Sequence, residues 1–423
     1  MGVKVAVIGA GSTYTPELVE GFVTRGDRLR VDQLALLDTD AERLDIVGGL
    51  AARMMTKAGW MGELTLTDDR DRALEGAEFV ICQLRVGGQA ARFVDETLPL
   101  RFGCIGQETT GPGGFAKALR TVPIVLELAE ETARRGAADA WFIDFTNPVG
   151  IVTQALLDEG HRALGLCNVA IDIQRRIAED FRVDPSRVRL EHVGLNHLSW
   201  ERAVFVDDRD VLPAMLDDRA EELAEHADMP ADLLRLLRAL PSSYLRYYYM
   251  TARVLEEQRT HPSRAEEVMA IERGLLELYK DPSLDSKPKL LEQRGGAFYS
   301  EAAAQLVTSL SDGAGDVQVV DVRNGGAMPD LPDDAVVEIP ARIELDGAHP
   351  APLAPLAPEM LGLVEAAKAY ERLAAAAAMN GSRDTALKAL LANPLVDGFE
   401  TAAAMLDPLL EANRQHLPRF FPG

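Results

Sequence analysis

Gly9-Ala10-Gly11-Ser12-Thr13 is the first stretch of this 423-residue chain whose residue types could do chemistry. It follows an apolar run over residues 3–8. It precedes Thr15-Pro16-Glu17, which reads as a helix start with a capping hydroxyl, a proline at the first position and an acid. Glycines let a backbone turn tightly and approach a pyrophosphate, while a helix N-terminus offers free N–H donors and the positive end of its dipole. Tyr14 stands where the third glycine of Gly-x-Gly-x-x-Gly would fall. Asp38 ends the next apolar run, where a carboxylate can bind the two ribose hydroxyls of NAD and repel the extra phosphate of NADP. Gly9, Gly11, Ser12 and Asp38 are therefore expected to bind NAD. A plain turn and a capping aspartate could use the same residues, but the order of run, turn, helix and acid favours the nucleotide.

Four polar clusters follow. Residues 87–92 combine with the glycine-rich Gly106-Gln107-Glu108-Thr109-Thr110-Gly111-Pro112-Gly113-Gly114. The others are Asp144-Phe145-Thr146-Asn147-Pro148-Val149-Gly150, Gly165-Leu166-Cys167-Asn168 and Gly194-Leu195-Asn196-His197. Glycines and polar groups after a buried strand mark loops shaped for function. Residue by residue the signal is weaker. A lone cysteine is more often a buried thiol, a lone histidine a core or capping residue, and a buried tyrosine a packing residue. Cys82, inside an apolar run, and Cys104, ahead of the glycine-rich loop, read as bystanders.

The elements that must position these clusters alternate in the first half. Residues 3–8, 34–37, 64–67, 79–84 and 141–145 read as buried strands. Residues 16–24, 41–57 and 116–135 between them read as helices. Strands alternating with helices imply parallel βαβ units in a Rossmann-type doubly wound sheet, whose ligands bind beyond the C-terminal strand ends. After about residue 166 the rhythm becomes α+β and mostly helical. Extended segments are expected at 189–192, 199–206, 317–322 and 336–342, with a turn-rich stretch at 324–334. Helices are expected at 214–227, 244–257, 265–279, 296–310 and in pieces over 358–416. The length implies two closely packed domains: residues 1–166 for NAD, and 167–423 for substrate, catalysis and oligomerisation.

The net charge of −23 argues against nucleic acid, but a few arginines can reverse the sign inside a pocket for a small anion. No apolar run approaches the roughly 20 residues that span a bilayer. The opening residues enter a strand with no export-signal pattern, and three cysteines make no disulfide framework, so a cytoplasmic location is expected.

These clusters, together with Pro241-Ser242-Ser243-Tyr244-Leu245-Arg246-Tyr247-Tyr248-Tyr249, Asn324-Gly325-Gly326-Ala327 and Leu331-Pro332-Asp333-Asp334, resemble glycoside hydrolase family 4 over nearly the whole chain. The family's glycosidases need NAD and a divalent metal. The resemblance implies a lactate/malate dehydrogenase-like plan, with Cys167 and His197 as metal ligands. It implies Mn²⁺ as the metal, although a soft thiolate would intrinsically favour later metals. Tyr244 resembles the catalytic base, with Tyr247 the next candidate among four tyrosines. Arg264 resembles a substrate-phosphate ligand, and Arg92, Asn147 and Asn168 resemble substrate-contacting positions.

The implied reaction is hydrolysis of a 6-phospho-β-glucoside, a small phosphorylated disaccharide or aryl glycoside. It runs by transient oxidation at C3, proton removal at C2, elimination and water addition, unlike the usual two-carboxylate route. The Cys167-Asn168 pair resembles the β-linked branch, because family members acting on α-linked substrates can carry an acid after the metal cysteine. It leaves the leaving-group acid to a water or Glu108. The alternatives are an NAD-dependent 2-hydroxyacid dehydrogenase of the lactate/malate type, a nucleotide-sensing regulator without catalysis, or a family 4 glycosidase for an α-linked, unphosphorylated or uronide substrate. A homodimer or homotetramer is expected.

Overall fold

The computed structural model describes residues 2–295 and 298–422. The first-half strands are β1 (Val3–Ile8), β2 (Val31–Leu37), β3 (Glu63–Thr67), β4 (Phe79–Cys82), β5 (Trp141–Asp144) and β6 (Ala163–Gly165). The later ones are β7 (Val188–Leu195), β8 (Leu198–Val206), β9 (Arg209–Asp210), β10 (Leu240–Pro241), β11 (Val317–Arg323), β12 (Val336–Glu344) and β13 (Gly347–Pro350). β1 to β6 pair in parallel in the order β6-β5-β4-β1-β2-β3, the doubly wound arrangement. β11, β12 and β13 then extend this sheet antiparallel from the β6 edge. The first helices are α1 (Thr15–Val23), α2 (Ala41–Lys57), α3 (Arg70–Leu74), α4 (Gly88–Thr97), α5 (Gly111–Arg135), α6 (Val149–Asp158) and α7 (Val169–Phe181).

Alternation along β1 shows how both faces are buried. Val5 and Val7 enter one apolar cluster, while Ala6 and Ile8 enter another on the opposite face. Each cluster draws residues from both halves of the sequence, so a single sheet supports both.

Local expectations are corrected at several points. Thr15 does not cap α1: Tyr14 is the N-cap, and the Thr15 hydroxyl donates to the Ala10 carbonyl at 2.8 Å. The helix expected over 214–227 breaks at Arg219 into Leu212–Asp218 and Ala220–Ala227. The one over 244–257 becomes a 3-10 turn, Ser243–Leu245, followed by Arg246–Tyr249 and Thr251–Thr260. The helix expected from 296 is seen as Tyr299–Asp312; residues 296 and 297 lie outside the described residues. Among the described residues no helix is long and apolar enough to cross a membrane.

Candidate active site

A cleft of about 1010 Å³ opens at the C-terminal ends of β1, β2, β4 and β5. Gly9, Gly11, Ser12, Asp38, Arg92, Asn147, Asn168, Tyr244 and Arg264 all line it. Cys167 and His197 do not; they are 5 % and 3 % exposed and sit behind its wall. Among the described residues, eight arginines and lysines line the cleft against five aspartates and glutamates, so a strongly acidic chain presents a basic pocket to an anion.

The nucleotide end is built by close backbone approach. Gly9 has φ +84°, and a Cβ there would lie 2.8 Å from the Leu84 Cα. A Cβ on Gly11 would lie 2.8 Å from Asp38 Oδ2, which accepts the Gly11 N–H at 2.7 Å. Asp38 Oδ1 accepts the Asp40 N–H at 2.9 Å, so the carboxylate is fixed at the end of β2 with lone pairs remaining for hydroxyl donors. Among the described residues Asn147 Oδ1 has no hydrogen-bond partner, and it is buried on the cleft wall, so its acceptor is available to a bound molecule. The glycine turn and Asp38 fit a dinucleotide.

The other end is organised around His197, in the αL conformation between β7 and β8 with φ +60°. Gln107 Oε1 accepts the Thr110 N–H at 2.9 Å, and it also accepts the Thr109 hydroxyl at 2.7 Å. The Thr109 oxygen, its proton committed, must accept from His197 Nδ1, 3.0 Å away. The imidazole therefore carries its proton on Nδ1 and bares a lone pair on Nε2. Burial lowers its pKa to about 3, keeping it neutral. A neutral imidazole whose far nitrogen donates to a neighbour is the form that binds metal.

Burial pushes the Cys167 thiol well above its usual range, and the Glu338 and Asp321 carboxylates behind it add to this. The Val169 and Asn168 N–H groups, at the start of α7, pull the other way. Such a thiol ionises only beside a cation, so the pair fits a metal with a thiolate and an imidazole as ligands.

Tyr244 links the pair. Its ring stacks on His197 with centroids 3.7 Å apart and planes 6° apart. Burial raises its pKa well above the ordinary phenol range, with Cys167 the next cause and Arg92 the cation that opposes it. Tyr247 tilts against Tyr244 at 6.1 Å and also lines the cleft, but it is Tyr244 that lies on the histidine.

Glu108 is the hub of the glycine-rich loop. Burial would raise its pKa, but Arg85, Lys117 and Arg92 outweigh this and hold it well below the carboxylate range. Lys117 Nζ lies 2.6 Å from it and Arg92 Nε 3.3 Å. Arg92 also pairs with Glu96 at 2.7 Å, and so is an inward-facing buried cation rather than a solvated surface one. Arg264 opens the helix Arg264–Tyr279 behind a Ser263 capping box. It pairs with Glu267 at 2.7 Å and donates to the Gln293 and Arg294 carbonyls at 2.9 and 3.0 Å.

Sequence reasoning missed Arg85, Lys117 and Arg294 in the cleft wall. Lys117 falls on what reads as the polar stripe of an amphipathic helix, and its signal is visible only once α5 is seen to be buried there.

Residues 4–183 match the model of the family 4 glycosyl hydrolases, and residues 192–396 match that of the family 4 C-terminal domain. The chain is 43 % identical to the probable 6-phospho-beta-glucosidase of Bacillus subtilis, across 99 % of this chain and 98 % of that one. It is similar to the 6-phospho-beta glucosidase of Thermotoga maritima solved with manganese, NAD+ and glucose-6-phosphate. The TM-score there is 0.93 at 38 % identity, across 98 % of this chain and 99 % of that one. The phospho-alpha-glucosidase of Clostridium acetobutylicum is more distant, at 28 % identity across 97 % of this chain and 98 % of that one. A lactate dehydrogenase from a deep-sea metagenome library shares only the fold, with TM-score 0.58 at 14 % identity across 89 % of this chain and 99 % of that one. With both family models matched in order along one sheet and one cleft, the chain belongs to glycosyl hydrolase family 4.

Proposed function

We propose that this protein hydrolyses 6-phospho-β-glucosides, small disaccharides or aryl glycosides, with NAD and a divalent metal, Mn²⁺, as cofactors. The observation that carries the reading is the Cys167, His197 and Tyr244 assembly beside a dinucleotide-type glycine turn. Relatives at 43 % and 38 % identity support the β-linked, phosphorylated substrate. The dehydrogenase alternative has only the fold in its favour.

Gly9, Gly11, Ser12 and Asp38 would hold the dinucleotide, and Cys167 with His197 Nε2 the metal. When bound, these groups supply a reversible hydride acceptor and a Lewis acid for reaction through C3 oxidation, C2 deprotonation, elimination and water addition. Tyr244 would take the C2 proton, with Arg92 the chain's own cation favouring the phenolate. Arg264 would bind the 6-phosphate, its planar fork suited to phosphate oxygens. Asn147 and Asn168 would orient sugar hydroxyls. Glu108, held ionised by three cations, is unsuited to protonate the leaving group, which leaves that role to water. Residues 1–166 would form the nucleotide-binding part and 167–423 the substrate part. A cytoplasmic homodimer or homotetramer completes the proposal, with exposed Leu236 and Phe399 among the apolar groups available for self-association.

The test compares nitrophenyl 6-phospho-β-glucoside with its α-anomer and its unphosphorylated form, using chelated protein with and without NAD and Mn²⁺. Turnover of the phosphorylated β-anomer is expected only with both cofactors. Equal turnover without NAD would reject the mechanism, and net NADH production would restore the dehydrogenase.

A further inference from the structure

A row of buried acids runs behind Cys167 and His197. Asp144 pairs with Gly165, Gly165 with Asp321, and Asp321 with Glu338, in register across β5, β6, β11 and β12. The three carboxyls are 0 %, 0 % and 1 % exposed. Gly165 keeps the row open, since a Cβ there would lie 2.8 Å from that of Asp321.

Glu338 is the member wired to the turn that carries His197. Its Oε1 accepts from Asn196 Nδ2 at 3.3 Å, and its Oε2 meets His192 Nε2 at 3.2 Å. His192 Nδ1 in turn meets Glu201 Oε1 at 2.6 Å. Asn196 and His197 are the two residues joining β7 to β8, and αL backbone at His197 is uncommon for a non-glycine residue and needs its surroundings to hold it. On its other side the strand register carries Glu338 through Asp321 to Gly165, two residues before Cys167, and its carboxylate acts on the Cys167 sulfur. One side chain thus serves both ligand-bearing segments, by hydrogen bond at one and by charge at the other.

We propose that Glu338 is a positioning residue for the metal centre, pinning the Asn196-His197 turn to β12 and placing negative charge behind Cys167, and so setting the affinity for the divalent cation. This rests on the reading of Cys167 and His197 as metal ligands given above. Loss of such an outer partner weakens metal binding by about 10–100-fold.

The experiment titrates full-length protein with Mn²⁺, followed by the electron paramagnetic resonance of the free ion, and titrates NAD separately by calorimetry. Glu338→Gln keeps the shape and removes the charge; it is expected to bind Mn²⁺ about 10–100-fold more weakly with NAD affinity unchanged. Glu338→Asp keeps the charge with a shorter reach and is expected to recover part of the loss. With saturating Co²⁺ as probe, the sulfur-to-metal charge-transfer band should move to higher energy in Glu338→Gln, because losing the charge behind the sulfur makes it a poorer electron donor. Parental Mn²⁺ affinity in Glu338→Gln, or parallel weakening of NAD and Mn²⁺, overturns the proposal. If that variant does not fold, the same criteria pass to Glu338→Asp. Cys167→Ser separates the two readings: if it binds Mn²⁺ like the parent, or the parent binds none, the metal-ligand assignment itself fails.

Discussion

At the scale of single residues, the site is a set of buried charges whose neighbours decide their state. Glu108 sits among Arg85, Arg92 and Lys117, and Lys117 is itself lowered to about 7 by burial and by Arg85. Replacing Glu108 by glutamine would remove the carboxylate partner of Arg85 and Lys117, while Arg92 keeps Glu96; breaking a buried pair by removing one partner costs about 3–5 kcal/mol. Glu108→Gln should lose stability on that order in urea unfolding, and a loss near zero would show that the cations relax outward. His192 gives a pH signature. Burial alone would lower its pKa, but Glu201 and Glu338 raise it to about 10. Unfolded, an imidazole titrates near pH 6.5, so the folded state binds this proton more tightly. The resulting stability is complete below about pH 6.5 and is lost as pH rises through about 10. His192→Gln should flatten the fall in Tm over that window; an unchanged slope would place the proton elsewhere. Neither cluster is legible in the sequence. Glu108 could be seen only as a loop acid, and Glu338 is one of three charged residues in β12, with nothing local to set it apart.

At the scale of elements, legibility tracks locality. α2 occupies the residues its periodicity predicts, Ala41–Lys57, and β1 matches its apolar run, because both patterns lie within one segment. β6 escaped notice since three residues, Ala163–Gly165, are too few to show a pattern. That β11 lies against β6 depends on pairing between residues more than 150 positions apart, which no local window contains. The nucleotide turn and the glycine-rich loop were legible as composition, but the reason for their glycines is spatial. A Cβ on Gly113 would lie 2.3 Å from the carbonyl oxygens of both Asp95 and Gln107, and backbone cannot swing aside. Gly113→Ala should therefore cost about 1–3 kcal/mol as an overpacked site. It should also displace Gln107, which accepts the Thr109 hydroxyl and so holds Thr109 against His197, and Mn²⁺ affinity should fall with stability. Calorimetric titration on the folded variant checks this, and intact affinity would mean that the loop tolerates the shift.

At the scale of the molecule, the sheet argues for one folding unit even though the sequence divides into two matched segments. The segment over residues 4–183 contains β1 to β6, but β6 finds its second neighbour in β11, from the other segment. The two apolar clusters on either face of the sheet include Val320, Val337 and Ile339 on one side and Tyr370, Ala374 and Met405 on the other, all from beyond residue 192. Cutting the chain near residue 186 would expose that apolar surface and leave β6 as a bare edge, the condition that promotes aggregation. A fragment of residues 1–186 should therefore be aggregation-prone and fail to bind NAD, although every proposed dinucleotide contact lies within it. The intact chain should instead unfold in one calorimetric transition. NAD at 100 times its Kd should stabilise that whole transition by about 2.7 kcal/mol, because a ligand held only by the folded form shifts the entire unit. Two resolved transitions, with NAD moving one of them alone, would show that the halves fold separately.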